Sequence, residues 1–228
     1  MLAVMGTVAI PFKSMEPGIP MAETACATAT EFNPKRDAIM VAATRLFLER
    51  GYSGTSMEAI AEAAPVSKPT LYTHFRDKND LFAAVVMQRC EAFLANMEGL
   101  LDHALEPDLA LRPLATKFIE MIHDEEALAL YRTVIFEWRQ FPELGQGFYD
   151  CGPCKAHNML AAYLQHQHER KRMHVPSPVD AAALFFSMLE GDQHMRCMLG
   201  VRGPLTQAER DAVVDLVVPV FIRGFSAI

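Results

Sequence analysis

The chain reads as an all-α protein, and three observations carry that reading. Apolar residues recur at helical spacing in one segment after another. Most of these segments open on Ser, Thr, Asp or Asn, or on a proline suited to the first helical turn. No segment sustains the period-two alternation of a strand, and no internal repeat is visible.

The elements follow in order. Residues 1–32 hold Pro11, Pro17, Pro20 and a small-residue run ending ACATATEF, and they read as a disordered leader. Asn33 is suited to cap a first helix with Pro34 at its first position. Ile39, Ala43, Leu46 and Phe47 line one face of that helix, and Gly51 stops it. Thr55-Ser56-Met57-Glu58 matches a capping box and opens a second helix reaching about Ala64. Ser67 can cap a third helix from Lys68, and Asp77 a long fourth, with Asp80 near the positive end of its dipole. The fourth carries Leu81, Val85 and Phe93 and fades near Glu106-Pro107. Six more helices are expected at 108–123, 125–140, 142–150, 153–172, 178–199 and 206–225, with Pro219 kinking the last near Val218.

Charge is unevenly spread. The 228 residues carry a formal net charge of −7. Between Asn33 and Asp80 there are seven Lys/Arg against six Asp/Glu, and elsewhere fourteen against twenty-two. A near-neutral head on an acidic body excludes a non-specific DNA-coating protein and suits a binder with few, placed phosphate contacts. Five scattered cysteines are not a disulfide framework. No apolar run suits a bilayer span, no signal peptide is evident, and the expected location is the cytoplasm.

The stretch APVSKPTLYTHFRDKNDLF, Ala64 to Phe82, is helix end, turn, short helix and capped start of the next. Its short helix carries Lys68, Thr70, Tyr72, Thr73 and His74 with almost no acid, as suits a helix laid in the major groove of DNA. Lys68 can reach a guanine edge or a phosphate, and Thr70, Tyr72 and His74 offer further polar contacts. Lys78, Thr55 and Ser56 sit at helix starts, where backbone amides can also hold phosphate. Leu71 and Phe75 should face inward.

The segment from Asp37 to Phe82, with AATRLFLERGYSGTSMEAIAEAA followed by VSKPTLYTHFRDKNDLF, resembles the N-terminal domain of tetracycline-repressor (TetR) family regulators. The stretch from FEWRQFPELGQGFY to MLEG resembles the AefR-like subgroup of C-terminal domains. After the leader at 1–32, the resemblance implies a helix-turn-helix DNA-binding head at 33–82 and a helical-bundle ligand-binding and dimerisation domain at 83–228. It implies a non-enzymatic homodimer that represses at a palindromic operator on double-stranded DNA and is released by a small effector. It places Lys68, Pro69, Thr70, Tyr72 and His74 on the recognition helix. Pro65 stands where the family usually has Gly, so its turn should be strained or take another path.

Within the body, Tyr131, Ile135 and Trp138 share a helical face, and Phe118, Ile122, Met159 and Tyr163 can face them. These seven are the expected walls of an apolar or aromatic effector site, with His123, Glu137 and Arg139 as polar anchors. The last two helices are apolar nearly all round, which makes Phe185, Phe186, Leu189, Val217 and Phe221 the expected dimer interface. Cys151-Gly152-Pro153-Cys154 copies a thioredoxin tetrapeptide but lacks the strand before it, which leaves a redox- or metal-responsive regulator as the alternative. His157 could join the cysteines, whereas His166 and His168, two apart on a helix, point away from each other. No catalytic or cofactor motif is present, so neither an enzyme nor a cofactor is expected.

Overall fold

Local capping fixes where the first helices begin. The computed structural model describes residues 33–226, and the expected leader at 1–32, with Cys26, lies outside them. Helix α1 spans Pro34–Arg50. Ser56 caps α2 (Met57–Ala63) by accepting from the Ala59 amide. Ser67 caps α3 (Lys68–His74) and Asp77 caps α4 (Lys78–Glu98) in the same way. The expected capping box at Thr55 does not form; the cap is one residue later, at Ser56, and the third helical residue is Ala59, which cannot reciprocate. Thr55 is 2% exposed, and its hydroxyl donates to the Leu46 and Gly51 carbonyls at 3.0 and 2.8 Å.

Six further helices follow: α5 (Pro107–Ile122), α6 (Glu125–Glu137), α7 (Pro142–Cys151), α8 (Pro153–Glu169), α9 (Pro178–Met198) and α10 (Gln207–Gly224). Thr206 and Glu209 complete a reciprocal capping box at the start of α10. No strand forms among the described residues; one isolated bridge joins Met173 to Ser226.

Two apolar clusters hold these helices. One joins α1–α4, takes Phe47, Tyr52, Leu71 and Phe82, and reaches forward to Leu130, Val134 and Leu144 of α6 and α7. The other is built from α4, α5, α8, α9 and α10 around Phe118, Tyr163, Phe185 and Phe221. Residues from Pro34 onward form one compact unit, and α4 runs unbroken across the boundary expected at 82/83.

Pro65 settles into strain. Its φ is +26°, where the pyrrolidine ring holds proline near −65°. The Val66 amide still donates to the Ala61 carbonyl at 3.0 Å, the long bond of a Schellman ending to α2. The companion bond, from the residue at 65 to the Glu62 carbonyl, cannot form because proline has no N–H. Glycine would restore both the backbone freedom and the donor. Strain of this kind costs on the order of 1–3 kcal/mol, partly offset by the extra chain entropy of glycine. Pro65→Gly should therefore raise the midpoint of chemical denaturation, with a net gain of about 1–2 kcal/mol. A fall in the midpoint would show that the turn is relaxed as it stands.

Candidate functional site

The α2–turn–α3 unit presents one polar surface. Lys68, Pro69, Tyr72 and Thr73 are exposed, and Thr70 and His74 are half-buried at its edge. Leu71 and Phe75 point inward and are buried, as the sequence leads one to expect. Ser56 is exposed at the start of α2. The Thr73 hydroxyl donates back to Pro69 at 2.8 Å, and the Thr70 and Ser67 hydroxyls lie 2.8 Å apart. Lys68 pairs with Glu58 at 2.8 Å across the two helices, which draws the Glu58 carboxyl below its ordinary pKa.

Two residues expected on this surface are not available there. Thr55 is inside, as described above. Lys78 turns its ammonium inward to donate to the Tyr52 and Thr55 carbonyls, both at 3.0 Å, over the Tyr52 ring at 4.3 Å. Burial lowers its pKa, against the opposing pull of Glu137. Its side chain closes the α1–α2 loop, and only the backbone at the start of α4 remains in place for an anion.

That loop is also where the N-terminal helices meet the rest of the chain. Glu137, 5% exposed at the end of α6, accepts from the Ser53 amide at 2.9 Å and from the Ser53 hydroxyl at 2.8 Å. Beside it, Tyr52 packs edge-on against Phe141 with ring centres 4.8 Å apart. Burial, then Asp77, Glu143 and Glu137, push the Tyr52 hydroxyl up to about 12, so it remains a donor to Asn79. Glu137, expected as a ligand anchor, is instead a joint.

A cavity of about 510 Å³ opens between α4, α5, α6, α8 and α9. Phe118, Ile122 and Tyr131 line it, as expected. Four other expected wall residues do not. Ile135 and Trp138 are 52% and 53% exposed, because α6 turns Leu130, Val134 and Glu137 inward. Tyr163 is fully buried in the core, with its hydroxyl donating to the Leu105 carbonyl at 3.4 Å. Met159 packs against that same core. Arg139 lies over the Trp138 ring and away from the cavity wall. The sequence reading missed Phe93, Phe148, His157, Glu190 and His194, which the helix crossings bring to the wall. Their only advance signal was aromatic or polar character in helices read as core or surface.

The wall has firm internal contacts. Tyr131 meets Phe148 edge-on at 5.2 Å, and His157 stacks on Phe186 at 5.2 Å. Arg89 pairs with Glu126 across α4 and α6. Burial raises the Tyr131 pKa and lowers that of His157.

The expected dimer residues Phe185, Phe186, Leu189, Val217 and Phe221 are all buried within the chain's own core, at 5% exposure or less. The apolar residues left outside on these helices include Leu184 and Met195 on α9 and Leu216 and Val220 on α10.

Cys151 and Cys154 do not pair. The Cys151 sulfur lies 2.9 Å from that of Cys90 on α4, and the Cys154 sulfur accepts from Asn158 at 3.6 Å. The contact with Cys90, helped by Lys155, lowers the pKa of Cys151. Among the described residues no group of three His, Cys, Asp or Glu could hold a metal ion, and no helix is long and apolar enough to cross a membrane.

Comparisons with known proteins agree with this geometry. Residues 39–85 match the family of bacterial regulatory proteins described as the tetR family. Residues 109–227 match the C-terminal domain of AefR-like transcriptional repressors. A solved structure described as a TetR-family transcriptional regulator of Mesorhizobium loti is 31% identical, with a TM-score of 0.75 over 84% of this chain and 96% of that one. The flavonoid-responsive regulator FrrA is 30% identical, with a TM-score of 0.70 over 84% and 97%. The transcriptional activator FasR of Mycolicibacterium smegmatis is 32% identical over 97 residues, 42% of this chain and 44% of that protein. The chain spans about half the length of such curated relatives in these matches.

The geometry separates two lysines that look alike in sequence. Lys68→Ala should weaken binding to duplex DNA and reduce the slope of log affinity against log salt by about 1. Lys78→Met should leave that slope unchanged and lower the denaturation midpoint instead. Equal slope changes for both would place Lys78 on the phosphates.

Proposed function

We propose, from the premise that the chain belongs to the tetR family of helix-turn-helix transcriptional regulators, that it is a homodimeric repressor released by a small, largely apolar or aromatic effector. The carrying observation is that α6 runs from the cavity wall to the loop between α1 and α2. Tyr131 of α6 lines the cavity, and Glu137 at its end holds Ser53. An effector that displaces α6 acts directly on the loop between α1 and α2. The aromatic wall favours a flat ligand, and the name of FrrA as flavonoid-responsive supports that class. The AefR-like repressor description of residues 109–227 favours repression, although FasR is named an activator.

On this reading the head comprises residues 33–82 and the body residues 83–228, sharing α4. The DNA surface is Ser56, Lys68, Pro69, Thr70, Tyr72, Thr73 and His74, with Lys68 exchanging Glu58 for DNA. Two such surfaces reading a palindrome must sit one helical turn apart, ~34–36 Å, or a multiple of it. An effector weakens binding only by preferring a different spacing. The outward face of α9 and α10 supports the second copy, since Leu216 and Val220 lie one turn apart and are both exposed.

Selection of fragmented genomic DNA on the purified protein, with Lys68→Ala as control, tests the function. A palindrome recovered by the parent and lost in the control is the expected outcome. No enriched motif in either would count against an operator-binding regulator. The dimer face has its own test. Leu216→Glu should yield a helical monomer by sedimentation and lose at least tenfold in affinity for the palindrome. A variant that remains dimeric would move the interface elsewhere.

A further inference from the structure

The cavity wall carries charge, and almost all of it is already answered. Arg89 is held by Glu126, and Lys117 by Glu120 at 2.9 Å. Asp124 caps α6 through the Glu126 and Ala127 amides. Glu190 is different. It lines the cavity, and among the described residues it has neither an ion pair nor a side-chain hydrogen bond.

Backbone geometry puts it there. Gly191, the next residue, breaks α9 with φ +50° and ψ −163°, a conformation close to the region reserved for glycine. Nothing lies within 4 Å of where its side chain would begin, so the requirement is conformational and not one of space. Glu190 and His194, on either side of the break, both line the cavity. His194 makes no hydrogen bond or ion pair with Glu190, and burial and then the neighbouring His123 lower its pKa. Its Nδ1 is buried without a hydrogen-bond partner. Burial likewise raises the Glu190 pKa, as expected of a carboxyl with no cation beside it.

The rest of the wall suits a positive charge next to a ring system. Phe93, Phe118, Tyr131 and Phe148 surround the space, and aromatic faces attract cations. An anionic ligand would find both wall cations already paired. We infer that the cavity is specific for aromatic organic ammonium ions, with Glu190 as the counter-ion that the protein itself leaves unpaired. This rests on reading the cavity as the effector site and adds the charge of the ligand.

The test uses the full chain and three matched probes in titration calorimetry: 1-naphthylmethylammonium, 1-naphthylmethanol and 1-naphthaleneacetate. The ammonium should bind at least tenfold tighter than the alcohol, and the carboxylate weakest. Glu190→Gln, with its helicity checked by circular dichroism, should bring the ammonium and the alcohol to within about threefold of each other. Phe118→Trp, which fills the cavity, should remove both. Equal binding of ammonium and alcohol by the parent protein overturns the inference and leaves the cavity as an effector site. A preference that survives Glu190→Gln also overturns it. Binding of none of the probes overturns the cavity reading, and the inference falls with it.

Discussion

A carboxylate taken out of water must be answered, and in this chain Glu137 is answered by a loop 84 residues away. Its two oxygens take the amide and the hydroxyl of Ser53, and Lys78 supplies positive charge nearby without a direct contact. Removing one side of such an arrangement leaves a buried group unsatisfied, at a cost of about 1–3 kcal/mol. The contact is therefore directional in a way that apolar packing is not. It fixes which face of α6 turns inward, and it fixes where the α1–α2 loop sits. Tyr52, the residue before Ser53, then packs on Phe141 and fills the remaining space.

The short helices α2 and α3, seven residues each, are too short to persist alone. They stand because Ile60, Leu71 and Phe75 are buried in the apolar cluster they share with α1 and α4, and because Ser56 and Ser67 each satisfy one of their first amides. Pro65 works against this, holding a positive φ and withholding a donor. The turn survives because both flanking helices are pinned by their buried side chains.

Helix existence and helix starts were legible in the sequence, since capping and breaking act between residues three or four apart. Ser67 and Asp77 illustrate this. Helix facing was legible only where one stripe was clearly apolar. On α6 two stripes compete, Tyr131–Ile135–Trp138 and Leu130–Val134–Glu137, and the first is the more apolar. The second wins because Glu137 has a partner that no local rule reveals. On α9 and α10 the apolar residues surround the helix, so periodicity cannot say which face meets the chain's own core. Phe185 and Phe221 fill it, and Leu184 and Leu216 are left outside. The cysteines fail for the same reason: Cys151 and Cys154 are near in sequence, whereas the sulfur beside Cys151 belongs to Cys90, 61 residues away.

These contacts also explain why a cavity here is mechanically connected. Leu130 lines the cavity, and it belongs at the same time to the apolar cluster of α1–α4. Val85 and Cys90 of α4 do likewise. The helices around the cavity are close-packed, so on the proposed reading a ligand larger than its volume of about 510 Å³ is accommodated by moving whole helices and not by local yielding. Of the helices that can move, α6 ends on Ser53 and α4 begins beside the recognition helix. On the proposed reading, displacement of either is passed on to α3 through these neighbours. The size of the effect is set by how differently the ligand binds the two arrangements, not by how tightly it binds one of them. A wall of adaptable rings would bind many ligands with little preference between arrangements. On the proposed reading, the unpaired carboxylate on the broken α9 gives the cavity a charged point that a ligand can engage while it displaces α6.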